Sequence, residues 1–194
     1  MNSEIEIIAT AFKDILFTPE ESQVLARSFE KIQLSKYSLL LEAGQRVDNQ
    51  FYVADGCMRT YFIDADGKEH TVQFAIADWW ISDYTAFFSS SVAIMHIECI
   101  QKATLFKISK KDMEKIYQEI PRLESFFRKK MERAFATFQK RIIANLSQSA
   151  AERYLNFIHS YPNIEQSVKN YHIASYLGIT TQSLSRIRKE LIQS

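Results

Sequence analysis

Side chains that donate hydrogen bonds are concentrated near the end of the chain. Amide, hydroxyl, guanidinium and ammonium groups alternate with apolar residues there, and Glu190 is the only acid between 168 and 192. Donors of this kind on one helix face bind the base edges and phosphates of double-stranded DNA. We therefore expect a DNA-binding surface made of Thr180, Thr181, Gln182, Ser183, Ser185, Arg186, Arg188 and Lys189.

These side chains suit different contacts with DNA. Gln182 can make a bidentate contact with adenine, and Arg186 can make one with guanine. Arg188 and Lys189 are expected to bind phosphates. The alternative is a polar terminal helix that only caps its domain, but such helices usually contain more acids.

Two helices are expected to position this surface. Helices that cross at a wide angle need a small residue at the contact and a glycine in the turn, and Ala174 and Gly178 suit these roles. Thr180 suits the N-cap of the second helix. The spacing predicts a shared apolar core of Ile173, Leu177, Ile179, Leu184 and Ile187.

A long amphipathic helix is predicted before this pair. Pro121 can open it, and apolar residues then recur every three or four positions, at Leu123, Phe127, Met131, Phe135, Phe138, Ile142 and Leu146. A helix over 121–146 would be about 39 Å long. We interpret it as a dimerisation helix, and coverage by the chain's own β-region is the alternative. A capping box over 149–152 begins the next helix.

Residues 31–108 follow a different period. Ile97 and Cys99 alternate with polar neighbours, which is typical of strands. Three of the four glycines, at 44, 56 and 67, separate such runs, and Asp66-Gly67 predicts a hairpin. This pattern indicates a β-sandwich or barrel of the jelly-roll kind. The first thirty residues are predicted to be helical, with a capping box over 18–21.

Charge differs sharply between the two parts of the chain. Residues 1–108 hold 9 Lys/Arg and 15 Asp/Glu, a net of −6, and residues 109–194 hold 15 and 8, a net of +7. The second part is thus suited to a polyanion. No apolar run approaches the roughly 18 residues of a membrane span, and no signal-peptide pattern opens the chain. We expect a cytoplasmic protein in which Cys57 and Cys99 are buried free thiols.

The order of these parts resembles the Crp/Fnr family of transcription regulators over nearly the whole chain. The resemblance rests on Leu41-Glu42-Ala43-Gly44, Phe51-Tyr52-Val53-Ala54-Asp55-Gly56-Cys57-Met58-Arg59, Asp66-Gly67-Lys68-Glu69, Ser149-Ala150-Ala151-Glu152-Arg153-Tyr154 and Ile173-Ala174-Ser175-Tyr176-Leu177-Gly178-Ile179. It implies an α+β fold with an N-terminal cyclic-nucleotide-binding-like jelly roll (1–120), a dimerisation helix (121–146) and a helix-turn-helix domain (147–194). It also implies that Thr181, Gln182 and Arg186 contact bases.

The effector site departs from the family pattern. Nucleotide-binding members hold the cyclic phosphate with a Gly-Glu pair and an Arg about ten residues later. Ile81 and Ser82 stand in place of the pair, and no arginine occurs between Arg59 and Arg122. A buried phosphate without a cationic partner is costly, so we expect cyclic AMP binding to be weak or absent. No cofactor is assigned, and the binding of a different small effector remains an open alternative.

A pocket for such an effector is expected around Trp79, Trp80, Ser82, Asp83 and Tyr84. Phe87 and Phe88 are expected to line the same apolar pocket, and the alternative is that all five aromatic side chains simply fill the barrel. Two cysteines are too few for an iron–sulfur sensor. No His-x-His pair, nucleophile–base set or phosphate-binding glycine loop occurs, so we expect neither a metal site nor an enzyme.

The expected partners are therefore double-stranded DNA, a second copy of the chain and RNA polymerase. A rival hypothesis is a ligand-binding sensor module that regulates a protein partner and uses its helical tail only for docking. Any β-hairpin wing beside the helix-turn-helix is expected to come from the connection over 161–169.

Overall fold

Helix α1 (Pro19–Ser28) begins at the capping box that the sequence predicts. The Glu21 amide donates to Thr18 Oγ1 at 3.3 Å, and the Thr18 amide donates to the Glu21 carboxylate at 2.9 Å, so two helix-end donors are satisfied. The computed structural model describes residues 8, 10–13, 15–162 and 164–193. The prediction that the first thirty residues are helical is wrong at 15–18 and at 29–30, and its part over 1–7, 9 and 14 lies outside the described residues.

A six-stranded sheet follows α1. Its strands are β1 (Glu30–Leu34), β2 (Leu39–Leu41), β3 (Asn49–Ile63), β4 (Glu69–Ile76), β5 (Trp79–Ile81) and β6 (His96–Ser109), and helix α2 (Tyr84–Ser89) lies between the last two. The strand order is β1-β6-β3-β4, with β2 paired to β6 and β5 paired to β3. The pairs of β6 with β1 and β2 are antiparallel. The predicted α+β class is confirmed.

Five α-helices of the described residues follow the sheet, and the sequence analysis singled out all of them except the first. They are α3 (Lys110–Glu119), α4 (Arg122–Ser147), α5 (Ala150–Ser160), α6 (Asn170–Leu177) and α7 (Thr181–Gln193). The long helix, the second capping box at Ser149 and the helix pair around Gly178 are thus confirmed. The connection between α5 and α6 holds a short 3₁₀ helix (Ile164–Gln166), and Asn163 lies outside the described residues.

The sheet has a separate apolar core on each face. Ile97 and Cys99 are fully buried in one core, together with residues such as Val53 and Leu105. Phe106 and Ile108, further along β6, belong to the other core, which α1, α3 and the first turns of α4 cover. The predicted alternation is seen over residues 96–99, where Ile97 and Cys99 are buried and the polar residues at 96 and 98 are half-buried. Further along β6, neighbours such as Leu105 and Phe106 belong to different cores.

The chain divides into two compact units. The first comprises Met1–Thr60 and Phe74–Met131, and the second comprises Tyr61–Gln73 and Glu132–Ser194. The domain boundaries expected at 120 and 146 stay predictions. The boundary between the compact units divides α4 after Met131 and groups the β3–β4 hairpin with the C-terminal helices. Among the described helices, none combines the length and mean hydropathy that a membrane span requires.

Two glycines with positive φ provide a matched test of this fold. A Cβ on Gly56 (φ +96°) would lie 2.5 Å from the Lys102 carbonyl oxygen, whereas a Cβ on Gly67 (φ +78°) would meet no atom within 4 Å. We expect Gly67→Ala to lower the free energy of unfolding by about 1 kcal/mol through backbone strain alone. Gly56→Ala should lower it by about 3–4 kcal/mol, because a backbone clash adds to that strain. Urea denaturation measures both values, and equal losses would contradict the packing described for β3.

Candidate nucleic-acid interface

The turn between α6 and α7 has the chemistry that the sequence predicts. Gly178 is left-handed at φ 67° and ψ 34°, a conformation that favours glycine. The Ile179 amide then donates to the Ala174 carbonyl at 3.0 Å. Thr180 Oγ1 accepts a hydrogen bond from the Ser183 amide at 3.1 Å, so the predicted N-cap of α7 is confirmed.

The predicted apolar core joins these two helices. Ile173, Leu177, Leu184 and Ile187 are buried, as is the small contact residue Ala174. Ile179, also predicted to lie in this core, is half-buried. The sequence did not single out the rest of the core, which consists of Tyr154, Phe157, Tyr161, Ile164 and Val168.

The opposite face of α7 carries the predicted donors. Gln182, Arg186 and Lys189 are all exposed and recur at helical spacing, so they share one face. The Arg186 side chain is 73% exposed and lies 3.9 Å from Glu190. Of the other predicted residues, Ser183 is half-buried and the exposed ones are Thr180, Thr181 and Ser185.

Arg188 has a different environment from the other predicted DNA ligands. Its side chain is 25% exposed and forms an ion pair with Glu165 at 2.6 Å. It also donates to the Tyr154 hydroxyl at 3.1 Å and to Asn170 Oδ1 at 2.7 Å. The phosphate contact expected for Arg188 stays a prediction, because each of the three guanidinium nitrogens already donates to a partner within the chain.

The β3–β4 hairpin meets α6 through one serine. Ser175 Oγ donates to the Glu69 carbonyl at 2.9 Å and accepts a hydrogen bond from the Thr71 amide at 2.9 Å. Arg141 of α4 donates to the Val72 carbonyl of the same strand. Three backbone groups of β4 are therefore satisfied by side chains of helices. No local sequence signal points to this contact.

Positive charge is distributed unevenly over the C-terminal part. Residues 122–147 of α4 hold 7 Lys/Arg and 2 Asp/Glu, whereas residues 148–194 hold 5 and 3. Most of the net charge that suggested a polyanion partner therefore lies on α4. The interpretation of α7 rests on the placement of its side chains rather than on net charge.

The C-terminal half of α4 exposes its apolar stripe. Leu123 and Phe127 are buried in the core of the first unit. Further along the helix, large apolar side chains are exposed: Phe135 at 64%, Phe138 at 37%, Ile142 at 58%, Ile143 at 61% and Leu146 at 84%. An exposed apolar stripe on a helix is typical of an interaction surface.

The aromatic residues of the expected effector pocket are largely in packed cores. Trp80 is 6% exposed and contacts Phe12, Tyr52 and Phe127, and Trp79 packs against the other core. The Tyr84 hydroxyl donates to Gln50 at 3.3 Å, and burial raises the pKa of Tyr84. These contacts favour the interpretation that the aromatic residues fill the domain.

Two polar residues of the expected pocket are engaged within the chain. Ser82 Oγ donates to the Asn49 carbonyl at 2.8 Å. Asp83 is fully buried; its Oδ1 accepts hydrogen bonds from the Thr85 hydroxyl and from the amides of residues 85 and 86 at the start of α2. Its Oδ2 accepts the amides of Ile94 and Met95 at 2.9 and 3.1 Å. One carboxylate thus joins two chain segments.

A shallow cleft of about 100 Å³ lies elsewhere in the first unit, and Phe87, Phe88, Lys110 and Tyr117 are among its lining residues. Phe87 and Phe88 are among the aromatic residues expected at the effector pocket, whereas the other expected residues, Trp79, Trp80, Ser82, Asp83 and Tyr84, do not line this cleft. Among the residues that the structure describes, no three His, Cys, Asp or Glu side chains are grouped as metal ligands.

Comparison with known proteins identifies one domain family and several solved structures of similar fold. Residues 31–120 match the cyclic nucleotide-binding domain family, whereas no curated protein matches the chain significantly. The regulator CLP of Xanthomonas campestris, described as responsive to c-di-GMP, is 12% identical, with a TM-score of 0.71 over 91% of this chain and 92% of its own.

Two further solved structures are similar over most of their length. A CooA variant from Carboxydothermus hydrogenoformans is 16% identical, with a TM-score of 0.68 over 96% of this chain and 84% of that one. A protein from Eubacterium rectale assigned to the Crp/Fnr regulators is 16% identical, with a TM-score of 0.69 over 91% and 85%. The resemblance seen in the sequence is thereby confirmed at the level of the fold.

Proposed function

We propose that this chain, which has the fold of the Crp/Fnr regulators, is a sequence-specific DNA-binding transcription regulator that binds a pseudo-palindromic operator as a homodimer. The observation that carries the proposal is the exposure of Gln182, Arg186 and Lys189 on one face of α7, whose other face is domain core. The function is regulatory rather than enzymatic. It is exercised in the cytoplasm, where DNA and RNA polymerase are the partners.

In this mechanism α7 is the recognition helix and enters the major groove. Its N-terminal residues meet base edges, with Gln182 on adenine and Arg186 on guanine, while Lys189 binds a phosphate. Thr180, Thr181, Ser183 and Ser185 line the same end of the helix. Two copies related by a two-fold axis would read half-sites about 34 Å apart.

The exposed stripe on α4 is the proposed dimer contact. Burying one large apolar side chain stabilises an association by about 1.5–3 kcal/mol, so five such residues per subunit provide a substantial driving force. Because α4 contributes residues to both units, a change in the β-domain would be expected to shift the dimer helices and re-space the recognition helices.

The β-domain is proposed to have a degenerate effector site that does not bind cyclic AMP. Ile94 and Met95 lie about ten residues beyond Ser82, in the segment that supplies the phosphate-binding arginine in nucleotide-binding relatives. Here their amides already donate to Asp83. A cyclic phosphate would therefore meet a buried carboxylate instead of a guanidinium.

Binding to DNA is the first test. An operator selected from a random DNA pool should bind the protein with an affinity that falls steeply as salt rises, because counterions are released.

Two variants test the roles of the exposed side chains. Arg186→Ala should cost about 1–3 kcal/mol of operator-binding free energy and relax selectivity at one base pair, whereas Lys189→Ala should weaken binding to all sequences alike. Gel shifts over a salt series measure these effects. If partner docking without DNA were the function, no duplex would show this salt dependence.

Self-association is the second test. Ile142→Glu on the exposed stripe should convert the dimer to a monomer and weaken operator binding by about tenfold or more, since each half-site would then bind alone. Val92→Glu is the matched control, because Val92 is similarly exposed at 55% but lies on the first unit. Sedimentation equilibrium reports the mass. A dimer that persists in Ile142→Glu would exclude this surface.

Cyclic AMP binding is the third test. Isothermal titration of the protein with cyclic AMP should give no binding heat at micromolar concentrations, because Asp83 already accepts the amides of Ile94 and Met95 and that segment itself contains no arginine. A micromolar dissociation constant would overturn the proposal of a degenerate site and leave the DNA-binding proposal intact.

A further inference from the structure

Arg188 connects α7 to three other elements of the second unit. Its Nε donates to Tyr154 of α5 at 3.1 Å, its Nη1 donates to Asn170 of α6 at 2.7 Å, and its Nη2 donates to Glu165 of the 3₁₀ helix at 2.6 Å. Each of the three guanidinium nitrogens thus has a partner on a different element. The planar fork of arginine suits such a contact, which the single ammonium group of lysine cannot reproduce.

Tyr154, Glu165, Asn170 and Arg188 form one hydrogen-bonded group, the Arg188 cluster. The Tyr154 hydroxyl accepts from Arg188 and donates to Glu165, and the ring lies 5.6 Å from the guanidinium carbon. Burial and the neighbouring Glu165 raise the pKa of Tyr154, so the hydroxyl remains a neutral donor at physiological pH. The positive charge of Arg188 is paired within the domain with the carboxylate of Glu165, at 2.6 Å.

The rest of α7 is held by apolar contacts that have little directional preference. Leu184 and Ile187 pack against α6, and apolar burial by itself tolerates small rotations and shifts of a helix. Hydrogen bonds depend on direction. The three bonds from Arg188 consequently restrict the rotation of α7 about its axis and its position along that axis.

We infer that Arg188 is a positioning residue that sets the orientation of α7 for base readout, rather than a ligand of DNA phosphate. This inference rests on the proposed DNA-binding function and replaces the phosphate contact expected from the sequence. Gln182 and Arg186, on the exposed face, then reach bases only if the Arg188 cluster is intact. A bidentate contact with a base is sensitive to displacements of this kind.

The first experiment compares Arg188→Lys with Lys189→Ala on the selected operator and on a random duplex of equal length. Arg188→Lys keeps the positive charge but loses the planar guanidinium, so the affinity for the operator should fall about tenfold or more. The affinity for the random duplex, and the salt dependence of that affinity, should be nearly unchanged. Lys189→Ala should weaken both duplexes and reduce the salt slope of the dimer by about 2. Arg188→Lys binding the operator like the parent protein would overturn the inference.

The second experiment uses two carboxylates as a matched pair. Glu190→Gln removes an exposed charge from α7 and should strengthen binding to both duplexes. Glu165→Gln removes the same charge but also the main partner of Arg188, so the ratio of operator to random affinity should fall. If Glu165→Gln instead raises operator affinity as Glu190→Gln does, Arg188 is a phosphate ligand that Glu165 merely restrains.

Folding and function are controlled separately. Thermal unfolding and a stoichiometric titration with operator give the folded and active fractions of every variant, and affinities are compared per active dimer. If Arg188→Lys does not fold, Tyr154→Phe removes the two hydrogen bonds that the Tyr154 hydroxyl makes with Arg188 and Glu165. This variant should also lower the ratio of operator affinity to random-duplex affinity, and an unchanged ratio would overturn the inference. A parent protein with no salt-dependent affinity for any duplex would refute the proposed function instead.

Discussion

The burial of Leu184 and Ile187 against α6 is the contact on which the rest of the C-terminal unit depends. These two residues lie three positions apart, so they occupy one face of α7 and leave the opposite face to polar side chains. Gly178 allows this packing because its left-handed backbone reverses the chain within a few residues. The same contact that stabilises the domain therefore determines which side chains meet the solvent.

Local sequence signals predicted the elements well. Capping boxes at Thr18 and Ser149, the glycine turn at 178 and the apolar period of α4 each depend on residues within one or two helical turns. The cluster around Arg188 could not be predicted in the same way, because its partners lie 18 to 34 residues away in the chain. The contact of Ser175 with the β3–β4 hairpin spans more than a hundred residues.

Residue type alone also proved ambiguous where burial decides the role. Arg186 and Arg188 are chemically identical and two positions apart, yet one is exposed and the other is enclosed by Tyr154 and Glu165. The tryptophans at 79 and 80 were compatible both with a pocket and with a core. In each case the deciding quantity is the three-dimensional environment, which a single sequence does not specify.

The carboxylate of Asp83 has an evolutionary consequence. Four amides from two segments converge on it, so removing it without supplying another anion would leave the buried Ala86 amide and three partly buried amides without this acceptor. Conversely, an arginine introduced nearby would be drawn to the carboxylate before any nucleotide could compete. A change that placed an arginine in this segment would therefore have to alter at least two positions together, with each single step disfavoured.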